Sequence, residues 1–304
     1  LINPAQRETL PRGAVVLLVL LTLFWGFNWP VMKFTLREVP VWTFRAVCLA
    51  GGALGLFAIA AASRLPLGVP RGQWPRLILI SFCNITGWNL CTGYGVNYLP
   101  SGRAAIIAFT MPVWSILLSG WLLDERMTGR RVAGVVLGAL GMAVLIGGEL
   151  GKLAAAPLGA LFMLGAAWFW AFGTVLLKRY PLAMPTAPMT AWFMLLGGIP
   201  VFAGALWFDH GTWHAYSAWA NAGIAYNIVL SFIFCYWAWF RIVDMVPASV
   251  ASLSVLMIPV IGVFSGMAVL GEVPHWSDVA ALLLVMAALA TVLIAAPRAR
   301  AQET

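Results

Sequence analysis

From end to end the sequence is divided into apolar runs about twenty residues long. Cutting at polar, proline and glycine breaks gives ten of them: 13–33, 41–62, 75–97, 101–122, 131–148, 157–177, 188–208, 218–240, 248–270 and 277–296. An α-helix needs ~20 mostly apolar residues to cross the hydrocarbon layer of a bilayer. There its backbone groups must pair within the segment, because no water is available to them. Composition points the same way: 62% of residues are hydrophobic and 9% charged, against about 25% charged in a soluble domain. Twenty-eight formal charges on 304 residues cannot furnish a water-facing surface. Soluble, disordered, collagenous and disulfide-scaffold classes are therefore excluded. The ten runs and their short connections use up the chain, and short connections favour antiparallel neighbours.

The net charge of +8 does not point to nucleic acid. Such binding needs basic residues massed on one face, and here Lys and Arg are scattered in ones and twos. Their distribution sets an orientation instead. With the N-terminus in the cytoplasm, the inner side collects thirteen cations: Arg7, Arg12, Arg64, Arg71, Arg76, Arg126, Arg130, Arg131, Lys178, Arg179, Arg241, Arg298 and Arg300. The outer side collects five: Lys33, Arg37, Arg45, Arg103 and Lys152. The expectation is a bacterial inner-membrane protein with both termini inside. The first apolar stretch is long enough to span and lacks a small-residue cleavage site. Cys48, Cys83, Cys91 and Cys235 all fall inside apolar runs, which argues against disulfides, and no CxxC spacing suggests a metal.

The chain also repeats itself. At an offset of 147, Pro100, Ala104, Pro112, Val113, Leu123 and Glu125 meet Pro247, Ala251, Pro259, Val260, Leu270 and Glu272. Two prolines and a glutamate in register carry the comparison, because proline inside a helix costs ~3 kcal/mol. At an offset of 145, Phe24, Trp25, Phe27 and Lys33 meet Phe169, Trp170, Phe172 and Lys178. Five helices per copy is an odd number, so the second copy enters the membrane from the opposite side. The expected fold is all-α, ten transmembrane helices as two inverted five-helix repeats. The expected bounds are 11–148 and 156–297, with tails at 1–10 and 298–304. Inverted repeats are the arrangement from which transporters obtain alternating access about a midplane site.

These motifs resemble the EamA family of the drug/metabolite transporter superfamily. The resemblance is carried by Trp25-Gly26 with Asn28, by Arg45, and by the run from Ala104-Ala105 through Pro112 to Glu125-Arg126 and Thr128. Gly134, Gly138 and Gly141 complete the first copy; Ala248, Ala251-Ser252, Pro259 and Gly271-Glu272 repeat it. Asp124 departs from the pattern where the second copy has Gly271, and Ala281 and Ala288 replace the glycines matching Gly134 and Gly141. The resemblance implies export of amino acids, aromatic ones included, or of related small metabolites. It implies no cofactor and no catalytic or metal site. The partners are a small-molecule substrate and membrane lipid, and a single copy suffices.

Within that frame several residues stand out as substrate-binding candidates. Trp25 and Trp170 are repeat-matched and lie near mid-depth, where an indole N–H lacks a partner in lipid; they are expected to wall a cavity. Asn84, Trp88, Cys91 and Gly95 share a helical face in the third run. Asn84 and Asn28 suit either a zwitterion or an interhelical hydrogen bond. Met111, Ser252 and Ser254 lie near Pro112 and Pro259, which should free the carbonyls of Ala108 and Val255 and act as paired hinges. The Gly51-x3-Gly55 and Gly134-x3-Gly138 patterns are assigned to close helix packing.

No Asp, Glu or His falls at the centre of a run, and such groups are the usual proton relays. Facilitated export or exchange is therefore favoured over proton antiport. An enzyme is disfavoured: Mg²⁺-dependent transfer needs clustered carboxylates, and the ten acidic residues form no DxxD pair. A multidrug exporter or a lipid-linked flippase of the same fold is the alternative. A sensor lacks loops or domains through which to signal.

Overall fold

The computed structural model describes residues 12–124, 127–147, 156–212, 214–239 and 257–293, and among these residues it is all helix and connection, without strands. The helices are α1 Arg12–Thr35, α2 Val41–Ala62, α3 Trp74–Ser81, α4 Trp88–Tyr98, α5 Ser101–Ala108, α6 Met111–Leu122, α7 Gly129–Gly147, α8 Ala156–Arg179, α9 Thr186–Phe208, α10 Ala218–Tyr226, α11 Met257–Leu270 and α12 Trp276–Leu293. Six segments are long and apolar enough to cross a membrane: Val16–Thr35, Val41–Ala62, Ser101–Leu122, Pro157–Arg179, Thr186–Phe208 and Ala218–Trp239. The protein is a multi-pass membrane protein.

Two of the runs are not plain α-helix. Phe82–Gly87 joins α3 to α4 as a π-helical segment, and Asn227–Cys235 continues α10 in the same way. They begin at residues 82 and 227, separated by the repeat offset of 145. A π segment shifts the hydrogen bonding to i→i+5 and occurs frequently at functional sites. The fourth run is broken too. Helix α5 ends at Ala108 and α6 begins at Met111, with Pro112 in its first turn. There proline's missing N–H costs nothing, and the carbonyl of Ile107 is taken up by the Thr110 hydroxyl at 2.7 Å.

The helix ends also correspond. Pro40 and Pro185 precede α2 and α9 with nearly identical backbones (φ −58°, ψ 147° and φ −60°, ψ 146°). Asp124 and Gly271, mismatched as residue types, share a left-handed backbone at φ 53° and φ 66°. At Gly271 the helix closes with the Gly271 N–H donating to the Met267 carbonyl, the five-to-one bond of an αL ending. Glycine takes that conformation freely and aspartate tolerates it. The departure noted in the sequence is thus one conformation met by two residues.

Packing follows the correspondence. Helix α2 lies on α9 and α7 on α12, each against its own counterpart. The contact of α4 with α8 is answered by that of α1 with α10 and the second π segment. The contacts of α5 and α6 with α8 are answered by that of α1 with α11. Small residues permit the close approaches. Gly51 and Gly55 receive Ile228 and Ile233 of the second π segment, and Gly138 receives Val113.

Candidate functional site

A cavity of about 120 Å³ opens where α1, α2 and α4 meet α8 and the second π segment. Its walls are aromatic. Trp88 lies against Trp170 with ring centroids 4.9 Å apart, and Trp170 lies 6.3 Å from Tyr236. Trp25 meets Tyr236 edge-on at 5.7 Å and Trp239 at 6.3 Å. The indole N–H of Trp25 donates to the Ser231 carbonyl at 3.3 Å. That carbonyl belongs to the second π segment, so the local change of helix type and the orientation of the cavity wall are coupled.

The polar lining lies largely on the first half. Asn89 donates to its own helix at the Ile85 carbonyl, and Thr92 to the Trp88 carbonyl. The Asn28 side-chain carbonyl is buried without a partner. Arg45 is 2% exposed; its guanidinium donates to the Thr92 hydroxyl at 2.9 Å and rests on the Met32 sulfur. Its Nε has no partner. Gly93 leaves room for it, since an added Cβ there would meet Val41 at 2.6 Å and Arg45 Nε at 3.4 Å.

Trp25, Asn28, Trp88, Met111 and Trp170 are brought together on this cavity. Asn84 lies elsewhere, packed so closely on α8 that a Cβ on Gly173 would collide with its amide. Ser254 and Ser252 lie outside the described residues, as does Val255; Pro259 stands near the start of α11 and is buried. Arg45, Tyr236, Trp239 and Ser231 line the site without having been expected there. Arg45, counted among the outer-side cations, is fully buried one turn into α2. A lone cation inside an apolar run was the available signal.

One rim of the bundle is fastened by carboxylates. Glu38 accepts from the Ser217 hydroxyl at 2.6 Å and from the Ser217 N–H, tying the end of α1 to the start of α10. Those two hydrogen bonds hold its carboxyl below the usual carboxylate range. Asp209 accepts from the Thr43 N–H at 2.8 Å, tying α9 to α2. Glu272 accepts from the Ser101 N–H at 2.7 Å, the Ser101 hydroxyl at 2.9 Å and the Gly102 N–H at 3.2 Å, tying α11 to α5. Asp278 accepts from Arg103 Nε at 2.7 Å. All four place a negative charge at a helix N-terminus, Asp278 in the first turn of its own α12, where the free N–H groups favour it.

Two stretches, 12–147 and 157–294, match the EamA-like transporter family. The chain belongs to that family. An EamA-like assignment makes it a membrane transporter, and its named relatives are transporters rather than enzymes. It is 26% identical over 253 residues, covering 82% of this chain and 86% of the other, to an uncharacterized transporter of Bacillus subtilis (strain 168). A probable amino-acid metabolite efflux pump of Escherichia coli (strain K12) is 27% identical over 198 residues, 64% of each chain. An aromatic amino acid exporter of Ancylobacter novellus is 26% identical over 172 residues, 56% of this chain and 58% of that one. A solved crystal structure superposes with a TM-score of 0.67 at 22% identity, covering 96% of this chain and 99% of the other. It shares the fold.

Proposed function

We propose that this EamA-like protein exports amino acids, aromatic ones included, and related small metabolites across the bacterial inner membrane. Both termini are cytoplasmic, and ten helices form two inverted five-helix halves that rock about the central cavity. The observation that carries this reading is the cavity's position. Its aromatic walls come from both halves, so relative motion of the halves must reshape it. The matched π segments, the matched helix ends and the exchangeable packing pairs support the inverted arrangement. About 120 Å³ holds only a few waters, so admission of a solute requires the walls to part. Pro112 and Pro259 are the hinges for that motion, and Trp25, Asn28, Trp88, Met111 and Trp170 contact substrate.

The test is reconstitution into liposomes, followed by counterflow of labelled amino acids and of quaternary-ammonium drugs, with and without a pH gradient. Amino-acid counterflow independent of the gradient is expected. Drug-only transport would move the protein to the multidrug alternative, and stoichiometric proton movement opposed to substrate would replace facilitated export by antiport. For the hinges, Pro112→Ala and Pro259→Ala should slow counterflow while leaving substrate binding near the wild-type value. Unchanged rates in both variants would remove the hinge role.

A further inference from the structure

We propose that Arg45 is the anchor for a carboxylate on the transported molecule, and that Asn28 accepts a hydrogen bond from its ammonium group. The site therefore selects α-amino carboxylates over the corresponding amines and amides. This rests on the amino-acid reading above and names which end of the substrate is recognised, and by what.

An arginine keeps its charge under all physiological conditions and offers five donors in a planar fork. Buried without a counter-charge it is costly, and the cost falls when an anion completes it. Arg45 is in that position. Within the described residues it forms no ion pair. Its contacts are the Thr92 hydroxyl, the Met32 sulfur and the face of Phe44, 5.3 Å from its ring centroid. The two acids near the start of α2 are occupied: Asp209 holds Thr43, and Glu38 holds Ser217.

The charge is not needed to build the helix that carries it. The position matching Arg45 in the second half is Thr190, also buried, whose hydroxyl donates to its own helix at the Thr186 carbonyl. The same scaffold is thus built at α9 without a cation. On the same cavity the Asn28 amide carbonyl lacks a donor. One orphan donor and one orphan acceptor, on a cavity also lined by Trp25, Trp170 and Trp239, match a zwitterion with an apolar side chain. Indole faces also attract an ammonium.

The deciding experiment measures counterflow and thermal stabilisation by phenylalanine, leucine, phenylalaninamide, phenethylamine and 3-phenylpropionate, in wild type and in Arg45→Gln and Arg45→Lys. Wild type should favour phenylalanine at least tenfold over the amide and the amine. The propionate should bind more weakly than phenylalanine but more tightly than the amine. Arg45→Gln should lose at least tenfold in phenylalanine affinity and no longer separate acid from amide. Arg45→Lys should retain the preference at reduced affinity, because a point charge replaces the fork. Equal handling of phenylalanine and its amide by wild type overturns the anchor and leaves amino-acid export standing. A folded Arg45→Gln that still separates them also overturns it. If neither variant folds, the wild-type ligand comparison decides alone. Failure of wild type to move any amino acid, with drug transport intact, overturns the export reading and this proposal together.

Discussion

The two halves meet at matching joints and fasten them with different chemistry. Glu38, after α1, holds Ser217 at the start of α10. A shift of 145 residues carries Glu38 onto Ala183, whose N–H donates to the side-chain carbonyl of Gln73 at 3.0 Å, at the start of α3. The first joint is anionic and the second neutral. The cavity repeats this difference, with Arg45 on α2 and Thr190 at the matching place on α9. The two copies therefore share a frame, while at this joint and at this cavity position only the first copy carries a charge. On the proposed alternating access, a frame that takes up two exchanged conformations benefits from symmetry. A site for a solute with one carboxylate does not.

Much of the frame was legible in the sequence, because apolar length and register both leave strong signals. Each of the ten runs contains helix, and the Pro40–Pro185 and Asp124–Gly271 correspondences follow the offsets read from tryptophans and prolines. The π segments were not legible. A shift from i→i+4 to i→i+5 bonding costs one residue of register and changes no composition, so the runs at 75–97 and 218–240 read as ordinary spans. Part of the site was legible for the same reason the frame was: Trp25 and Trp170 are repeat-matched, and Asn28 is a polar group in an apolar stretch. Arg45 was missed because a cation five residues into an apolar run is normally one whose long side chain reaches the interface. Only the crossing of α2 with α4 at Gly93 turns it inward. Asn84 and Trp88 share a face in an ideal α-helix, but Asn84 lies within the π segment, which breaks that register, and its amide ends against Gly173 of α8.

The sharpest way to break the comparison is at a matched pair of glycines. Gly52 on α2 and Gly197 on α9 are 145 residues apart, yet their surroundings differ. A Cβ on Gly197 would stand 2.5 Å from the backbone carbonyl of Ser81, whereas one on Gly52 would meet the Met194 sulfur and the Phe232 Cβ, both at 2.9 Å. Neither the Ser81 carbonyl nor the Phe232 Cβ can turn aside, but the methionine can, and the approach on Gly197 is closer by 0.4 Å. Gly197→Ala should cost about 3 kcal/mol, the upper end of ordinary overpacking, and Gly52→Ala about 1 kcal/mol. Thermal unfolding in detergent with both variants measures this. Equal losses would mean that the halves are packed alike after all.

A smaller effect tests the carboxylate rim. Glu272→Ala would leave three donors at the start of α5 without their acceptor, Ser101 N–H, Ser101 Oγ–H and Gly102 N–H. Water at the rim can replace part of what is lost, so about 2 kcal/mol is expected rather than the sum of three charge-assisted bonds. Gln73→Ala at the neutral joint removes one exposed hydrogen bond and should cost about 0.5 kcal/mol. Cysteine accessibility near residues 101 and 183 would report each joint separately. Similar opening in both variants would erase the distinction between the charged and the neutral joint.

The smallest effect is the pH response of Glu38, whose exposed position leaves its interactions screened by water and salt. Its carboxyl is held below the ordinary range by the Ser217 hydroxyl and N–H. Because the folded value is depressed, the tie is fully present above the ordinary carboxylate pKa of about 4.3. It is lost as pH falls through the lowered value. Acidification should therefore loosen the joint between residues 38 and 217 while the one between residues 73 and 183, which has no titrating group, stays closed. Glu38→Gln should abolish the response, since the amide cannot ionise. Distances between spin labels attached at pH 7 across each joint, followed from pH 7 to pH 3, give the readout. If both joints loosen at the same pH, acid is acting on the whole bundle and the anionic tie has no separate role.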